Sequence, residues 1–144
     1  MAERPAALLS VGFLLLLLTR EGMTNTGPIS IPIRLTVEND LFNMAPESFS
    51  SSVAEGGVLL GALRRLQEAQ PDFKFTVKDH PDFGVFLQSV NGVAGDEHKQ
   101  TYWEILSENS GEYTRLDVGI GCYAPKADEH IILRFSTWSS RKQE

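Results

Sequence analysis

Apolar positions in this chain alternate in twos along most of its length and switch to a helical period once. Ile29, Ile31, Ile33, Leu35 and Val37 occupy every second position, with Ser30, Pro32, Arg34, Thr36 and Glu38 between them. That alternation places the apolar set on one face of a strand. Pro32 cannot donate to a ladder, which predicts an edge position or a late start to pairing. Asn39-Asp40 closes the strand, and the serine-rich stretch 49–53 predicts a weaker one. Glu55-Gly56-Gly57 then opens a helix whose Leu59, Ala62, Leu63 and Leu66 fall at i, i+3, i+4 and i+7. This makes one apolar stripe, with Arg64, Arg65, Gln67 and Glu68 turned largely to solvent, and Pro71 stops it.

Period-two patterning resumes at residues 73–78, followed by a turn at Asp79-His80-Pro81-Asp82. Residues 84–90 predict a strand that ends at Asn91-Gly92, a strong hairpin signal because both residues tolerate positive φ. An acidic loop around Asp96-Glu97-His98 leads to an aromatic strand over 101–106, while 107–121 is glycine-bearing and irregular. The last strand runs from Glu129 to Trp138, with Ile131, Leu133 and Phe135 on one face. A single helix cannot cover both faces of a doubly wound sheet. The expectation is therefore an α+β fold, a β-grasp-like mixed sheet with one main helix packed across it.

The 144-residue chain begins with an apolar run, 6–18, that would span about 20 Å as a helix. That is short of a bilayer core and fits a secretory signal, so residues 1–22 are expected to be a signal peptide, leaving no membrane span after cleavage. Residues 23–30 form a linker, 31–138 the domain and 139–144 a polar tail. The net charge of −6, without basic clusters, argues against nucleic acid or an anionic membrane as partner. The single cysteine, Cys122, cannot form an intrachain disulfide; it is expected either as a small buried residue or as a thiol that pairs with another chain.

Catalytic signals are sparse. His80, His98 and His130 lack metal-ligand spacing, no G-x-S-x-G is present, and Gly119-Ile120-Gly121 is too short for a phosphate loop. The reading is a non-enzyme. Tyr102 and Trp103 point to opposite faces of their strand, so at most one packs into a given layer. Either both are covered, or one stands outward and offers a flat surface to a partner.

Taken in order, five segments resemble the C-terminal domain of the cobalamin carriers, the family of transcobalamin, intrinsic factor and haptocorrin. They are Ile33-Arg34-Leu35-Thr36-Val37, Gly57-Val58-Leu59-Leu60, the stretch 84–93, Thr101-Tyr102-Trp103-Glu104-Ile105-Leu106, and Gly121-Cys122-Tyr123-Ala124-Pro125 leading into 129–135. The resemblance implies a secreted, extracellular protein that binds cobalamin or another corrinoid, with the indole-bearing face of its sheet turned outward. Ligand contacts are implied at Gly84, Val85, Phe86, Leu87, Trp103, Glu104, Ile105 and Leu106. It also implies a carrier lacking the helical-barrel half, partnered by a helical domain or a cell-surface protein. The stretch 107–117 is longer and more polar than its family counterpart. The alternative is an extracellular interaction module that has kept the fold and lost the ligand.

Overall fold

The computed structural model describes residues 29–82 and 84–138; the expected signal peptide and polar tail lie outside them. The first alternating segment forms β1 (Ser30–Asn39), and a 3₁₀ turn at Asp40–Phe42 leads into β2 (Met44–Ala54). Asn39 starts that turn by accepting from the Phe42 N–H, and Asn43 ends it at φ 53°. Helix α1 (Leu59–Ala69) follows, then β3 (Phe75–His80), β4 (Gly84–Val90), β5 (Val93–Ala94), β6 (Thr101–Asn109), β7 (Glu112–Arg115) and β8 (Glu129–Thr137).

Five strands form one sheet in the order β2-β1-β8-β6-β7, and three form a second in the order β3-β4-β5. The first and last strands lie side by side and parallel, and the other described pairings are antiparallel. A mixed sheet built around that central parallel pair, with one α-helix across it among the described residues, is the α+β arrangement expected. The register puts Ile33, Leu35 and Val37 of β1 on the same face as Ile131, Leu133 and Phe135 of β8. That face is covered by the helix stripe Leu59, Ala62, Leu63 and Leu66, by Phe73, and by Leu87 and Val90 of β4, all of them buried.

Three local features differ from the sequence pattern. Strand β2 spans eleven residues and not five, since an edge strand buried on little of its surface needs no strong alternation. Residues 107–121 are not all irregular: Asn109 and Glu112 close a hairpin on which β7 pairs back to β6, through Ser110 and Gly111 at positive φ. In β4 the register slips by one residue opposite Thr76 and Val77, so Gln88 is an extra residue. That bulge lets Leu87 and Val90, three positions apart, both face the core. Asn91 and Gly92 both adopt positive φ, as their hairpin signal implied.

The helix N-terminus positions the loop at 120–123. Val58 offers no side-chain cap, and the first N–H groups of a helix have no partner within it. Here Leu59 N donates to Tyr123 O at 2.8 Å and Leu60 N to Ile120 O at 2.9 Å. Segment 120–123 is thereby held against the helix start, with Ile120 buried beneath it.

Candidate functional site

At the end of the molecule where β4 begins, four pieces of backbone come together. Gly84 starts the strand at φ +75°, a conformation that side-chain-bearing residues rarely adopt. Val85 follows, half-buried, against Gly119 and Gly121: a Cβ on Gly119 would sit 2.9 Å from Val85 O, and one on Gly121 3.5 Å from Val85 Cβ. Leu116 N donates to Ile105 O at 3.0 Å, which ties β6 to the same loop. Phe86 is 39 % exposed and Val118 is 47 % exposed. Residues 84–85 and 119–121 thus form a rim of close-lying backbone, with exposed Phe86 on the strand face opposite Val85 and exposed Val118 in the loop.

Of the residues proposed from sequence, Leu87 and Trp103 belong to the core, and Val85 and Ile105 pack against it. The outward-facing indole is not found. Trp103 is only 6 % exposed, its ring centroid lies 5.1 Å from that of Phe135, and its Nε1–H donates to Val93 O at 2.8 Å. The physical reason is register. Trp103 pairs with Phe135, and paired residues share a face, here the one that the helix and small sheet cover. The indole therefore anchors the β5 hairpin to the main sheet and does not present a stacking surface.

Glu104 and Leu106 lie on the opposite face of the five-stranded sheet, away from β4. Glu104 is 2 % exposed. It accepts from Arg115 Nε at 2.7 Å, from Arg134 Nε and Nη2 at 3.0 Å, and from Ser136 Oγ at 2.9 Å. Burial alone would raise its pKa, but the bonds from Arg115, Ser136 and Arg134 outweigh that and hold it below the ordinary glutamate value. Tyr113 extends this network by donating to Glu38 Oε2 at 3.2 Å, with the Arg134 guanidinium 5.8 Å from its ring centroid. Both Glu104 oxygens are engaged within the protein, Oε1 by Arg115 and Oε2 by Arg134 and Ser136. Polar residues at alternate positions of β6 and β8 were the sequence signal for this network; their pairing became visible only with the strand register.

Two smaller polar groups lie at the loop end. Glu129 accepts from Ser107 Oγ, Tyr123 Oη and Lys126 N. Burial opposes the charge on Glu129, yet those bonds and the Lys126 charge leave its pKa lowered. Tyr123 is pushed up to about 12 by burial and by its bond to the Glu129 carboxylate. His130 bridges Thr36 Oγ1 at 2.7 Å and Glu108 Oε1 at 3.2 Å. His80 ends β3 and its ring accepts from Asp82 N, while His98 sits in a turn where its N–H donates to Asp96. Among the described residues no group of three His, Cys, Asp or Glu could hold a metal ion. Cys122 is exposed, so the buried alternative does not hold.

In architecture this is a small α+β domain of β-grasp type with a glycine-lined rim at one end. No family model matches the chain. It is 34% identical over 119 residues to cobalamin binding intrinsic factor from dog (Canis lupus familiaris), and 32% identical over the same length to the Homo sapiens protein of that name. Each match covers 78% of this chain and 27% of the relative. Human transcobalamin-1 matches at 28% identity over 88 residues, covering 60% of this chain and 19% of the relative. Among solved structures, haptocorrin in complex with Cbi superposes with a TM-score of 0.65 at 23% identity, covering 77% of this chain and 26% of that one. A putative metal binding protein from Ruminococcus gnavus shares the fold with a TM-score of 0.52 at 16% identity, over 74% of this chain and 97% of that one. The chain is homologous to the C-terminal part of the cobalamin carriers, and spans about a quarter of the length of the relatives it matches. No helix among the described residues is long and apolar enough to cross a membrane.

Proposed function

We propose that this domain is a non-enzymatic, secreted corrinoid-binding module whose ligand rests on the rim formed by residues 84–86 and 116–121. The carrying observation is the sequence match to cobalamin binding intrinsic factor across 78% of the chain. The rim supplies the matching chemistry. A corrin ring is broad and apolar with amides at its edge; a surface of close backbone, flanked by exposed Phe86 and Val118, offers both apolar contact and main-chain hydrogen bonding. Within this reading Gly84, Val85 and Phe86 touch the ligand, Ile105 supports the 116–121 loop, and Leu87 and Trp103 hold β4 and β5 in place from inside. Glu104 and Leu106 stabilise the far face of the sheet.

A single domain covers one face of so large a ligand, so the affinity is modest compared with that of a two-sided cage. A helical-domain partner or a cell-surface protein would complete it. Titration of the purified protein with hydroxocobalamin, read by the visible spectrum and Trp fluorescence, tests this. Saturable binding that Phe86→Ala weakens supports the proposal. No change up to roughly millimolar ligand, a range set by the weakest specific affinities, overturns it and favours an interaction module without a corrinoid.

A further inference from the structure

We infer that β2 is a self-recognition edge, through which two copies of this chain pair antiparallel about a two-fold axis at Phe49. Strand β2 forms one border of the five-stranded sheet. Glu55 N donates to Ile29 O at 2.8 Å, so odd-numbered residues of this strand face β1. Pro32 O accepts from Asp128 N and thus faces away from β2, and its partner Ser52 in turn points outward. Between residues 46 and 52 the outward main-chain groups are therefore those of Pro46, Ser48, Ser50 and Ser52.

Two of these groups are already spent. Pro46 has no N–H, and Ser52 O accepts from Arg65 Nη1 at 2.9 Å. Natural edge strands are usually blunted by charge, proline or covering. Here the blunting falls only at the two ends, and no charged residue lies between Glu47 and Glu55.

With Phe49 opposite Phe49 of a second copy, Ser48 meets Ser50 and Pro46 meets Ser52. Ser48 N–H then donates to Ser50 O of the second copy, Ser50 N–H to Ser48 O, and Ser52 N–H to Pro46 O, each repeated by symmetry. The missing donor of Pro46 faces the one acceptor that Arg65 has taken. Moving the axis to Ser50 would instead aim the Ser48 N–H at that occupied carbonyl, leaving a donor without a partner. Side chains agree with the first register. Glu47, exposed and without an ion pair among the described residues, faces Ser51 of the second copy, beside the edge-bound Arg65. The half-buried Phe49 rings meet at the axis, where aromatic cross-strand pairs are favourable. A groove of about 690 Å³ beside this border is lined by Glu47, Ser48, Phe49 and Ser50 together with residues of β1 and β8 and with Gln70 and Asp72.

Sedimentation velocity on the purified chain, from about 10 to 500 µM, tests the proposal; contacts this small give weak, concentration-dependent association. Ser50→Pro removes an outward N–H and leaves the β1 ladder intact. It should raise the dimer dissociation constant roughly 30-fold, the effect of two lost hydrogen bonds related by symmetry, with an unchanged unfolding midpoint. In a Cys122→Ser background, Phe49→Cys should cross-link on mild oxidation, because residues facing each other in such a pair lie about 4.5 Å apart at Cα, within disulfide range. Ser51→Cys should not. A monomer throughout the range, a dimer indifferent to Ser50→Pro, or a folded Phe49→Cys protein that fails to cross-link would each overturn the inference.

Discussion

Replacing Glu104 gives the sharpest separation between a ligand contact and a structural residue. The carboxylate is 2 % exposed and is held by two arginines whose side chains are 30 % and 27 % exposed, together with Ser136. Removing one partner of a buried ion pair costs about 3–5 kcal/mol. The arginine heads can still reach water here, so Glu104→Ala should lose about 2–3 kcal/mol, just below that range. For a domain of this size that lowers Tm by about 10–20 °C. Glu104→Gln keeps the shape and one acceptor but no charge, and should lose about 1–2 kcal/mol. The depressed pKa fixes the pH dependence. A carboxylate whose folded pKa lies below its unfolded value contributes stability that is present above the unfolded value, near 4.5, and lost as pH falls through the folded one. Urea unfolding at pH 7 and across the acid range should therefore show wild type and Glu104→Gln converging below the unfolded value. A cost under about 0.5 kcal/mol at pH 7, typical of an exposed surface site, or a cost that ignores pH, would refute the reasoning. Corrinoid affinity should be unaltered in any Glu104 variant that remains folded.

Tyr123 makes the opposite pH prediction. Its raised pKa stabilises the fold fully below the ordinary value of 10.0, and that contribution disappears as pH rises toward about 12; Tyr123→Phe should lack this alkaline loss in a pH-dependent melting series. Trp103→Phe leaves Val93 O without its donor and should cost about 1–3 kcal/mol in urea unfolding, where a tryptophan standing in solvent would cost nothing. Gly119→Ala should push the 116–121 loop from β4, since its Cβ would sit 2.9 Å from a backbone oxygen; weaker corrinoid binding, with less loss of stability than Trp103→Phe, is expected by calorimetry. Phe86→Ala and Val118→Ala remove exposed side chains, so each should weaken corrinoid binding about three- to tenfold, the worth of a modest apolar contact, and leave Tm unchanged.

How far the sequence reveals the molecule depends on whether information is local or lies between strands. The β1 alternation, the Leu59 to Leu66 stripe with its Pro71 stop, and the Asn91-Gly92 turn are local, and each is found where the pattern puts it. The mixed-sheet class followed from the element order. Trp103 illustrates the other kind of information. Alternation shows that Tyr102 and Trp103 face opposite ways, but which face is covered depends on register with Phe135, a residue from a distant strand. The Glu104 network joins positions 104, 115, 134 and 136 through the same unseen pairing. Residues 84–86 were legible as a segment. Their approach to Gly119 was not, because it results from the loop carbonyls that complete the helix N-terminus.

The most direct test of the corrinoid rim is a ¹H–¹⁵N correlation spectrum of the folded domain recorded while cobinamide is added. Shifts should concentrate at residues 84–86 and 116–121, saturate with one ligand per chain, and leave Glu104 and its arginine partners in place. An unperturbed spectrum, or shifts centred on the far face of the sheet around Glu104, would contradict the account.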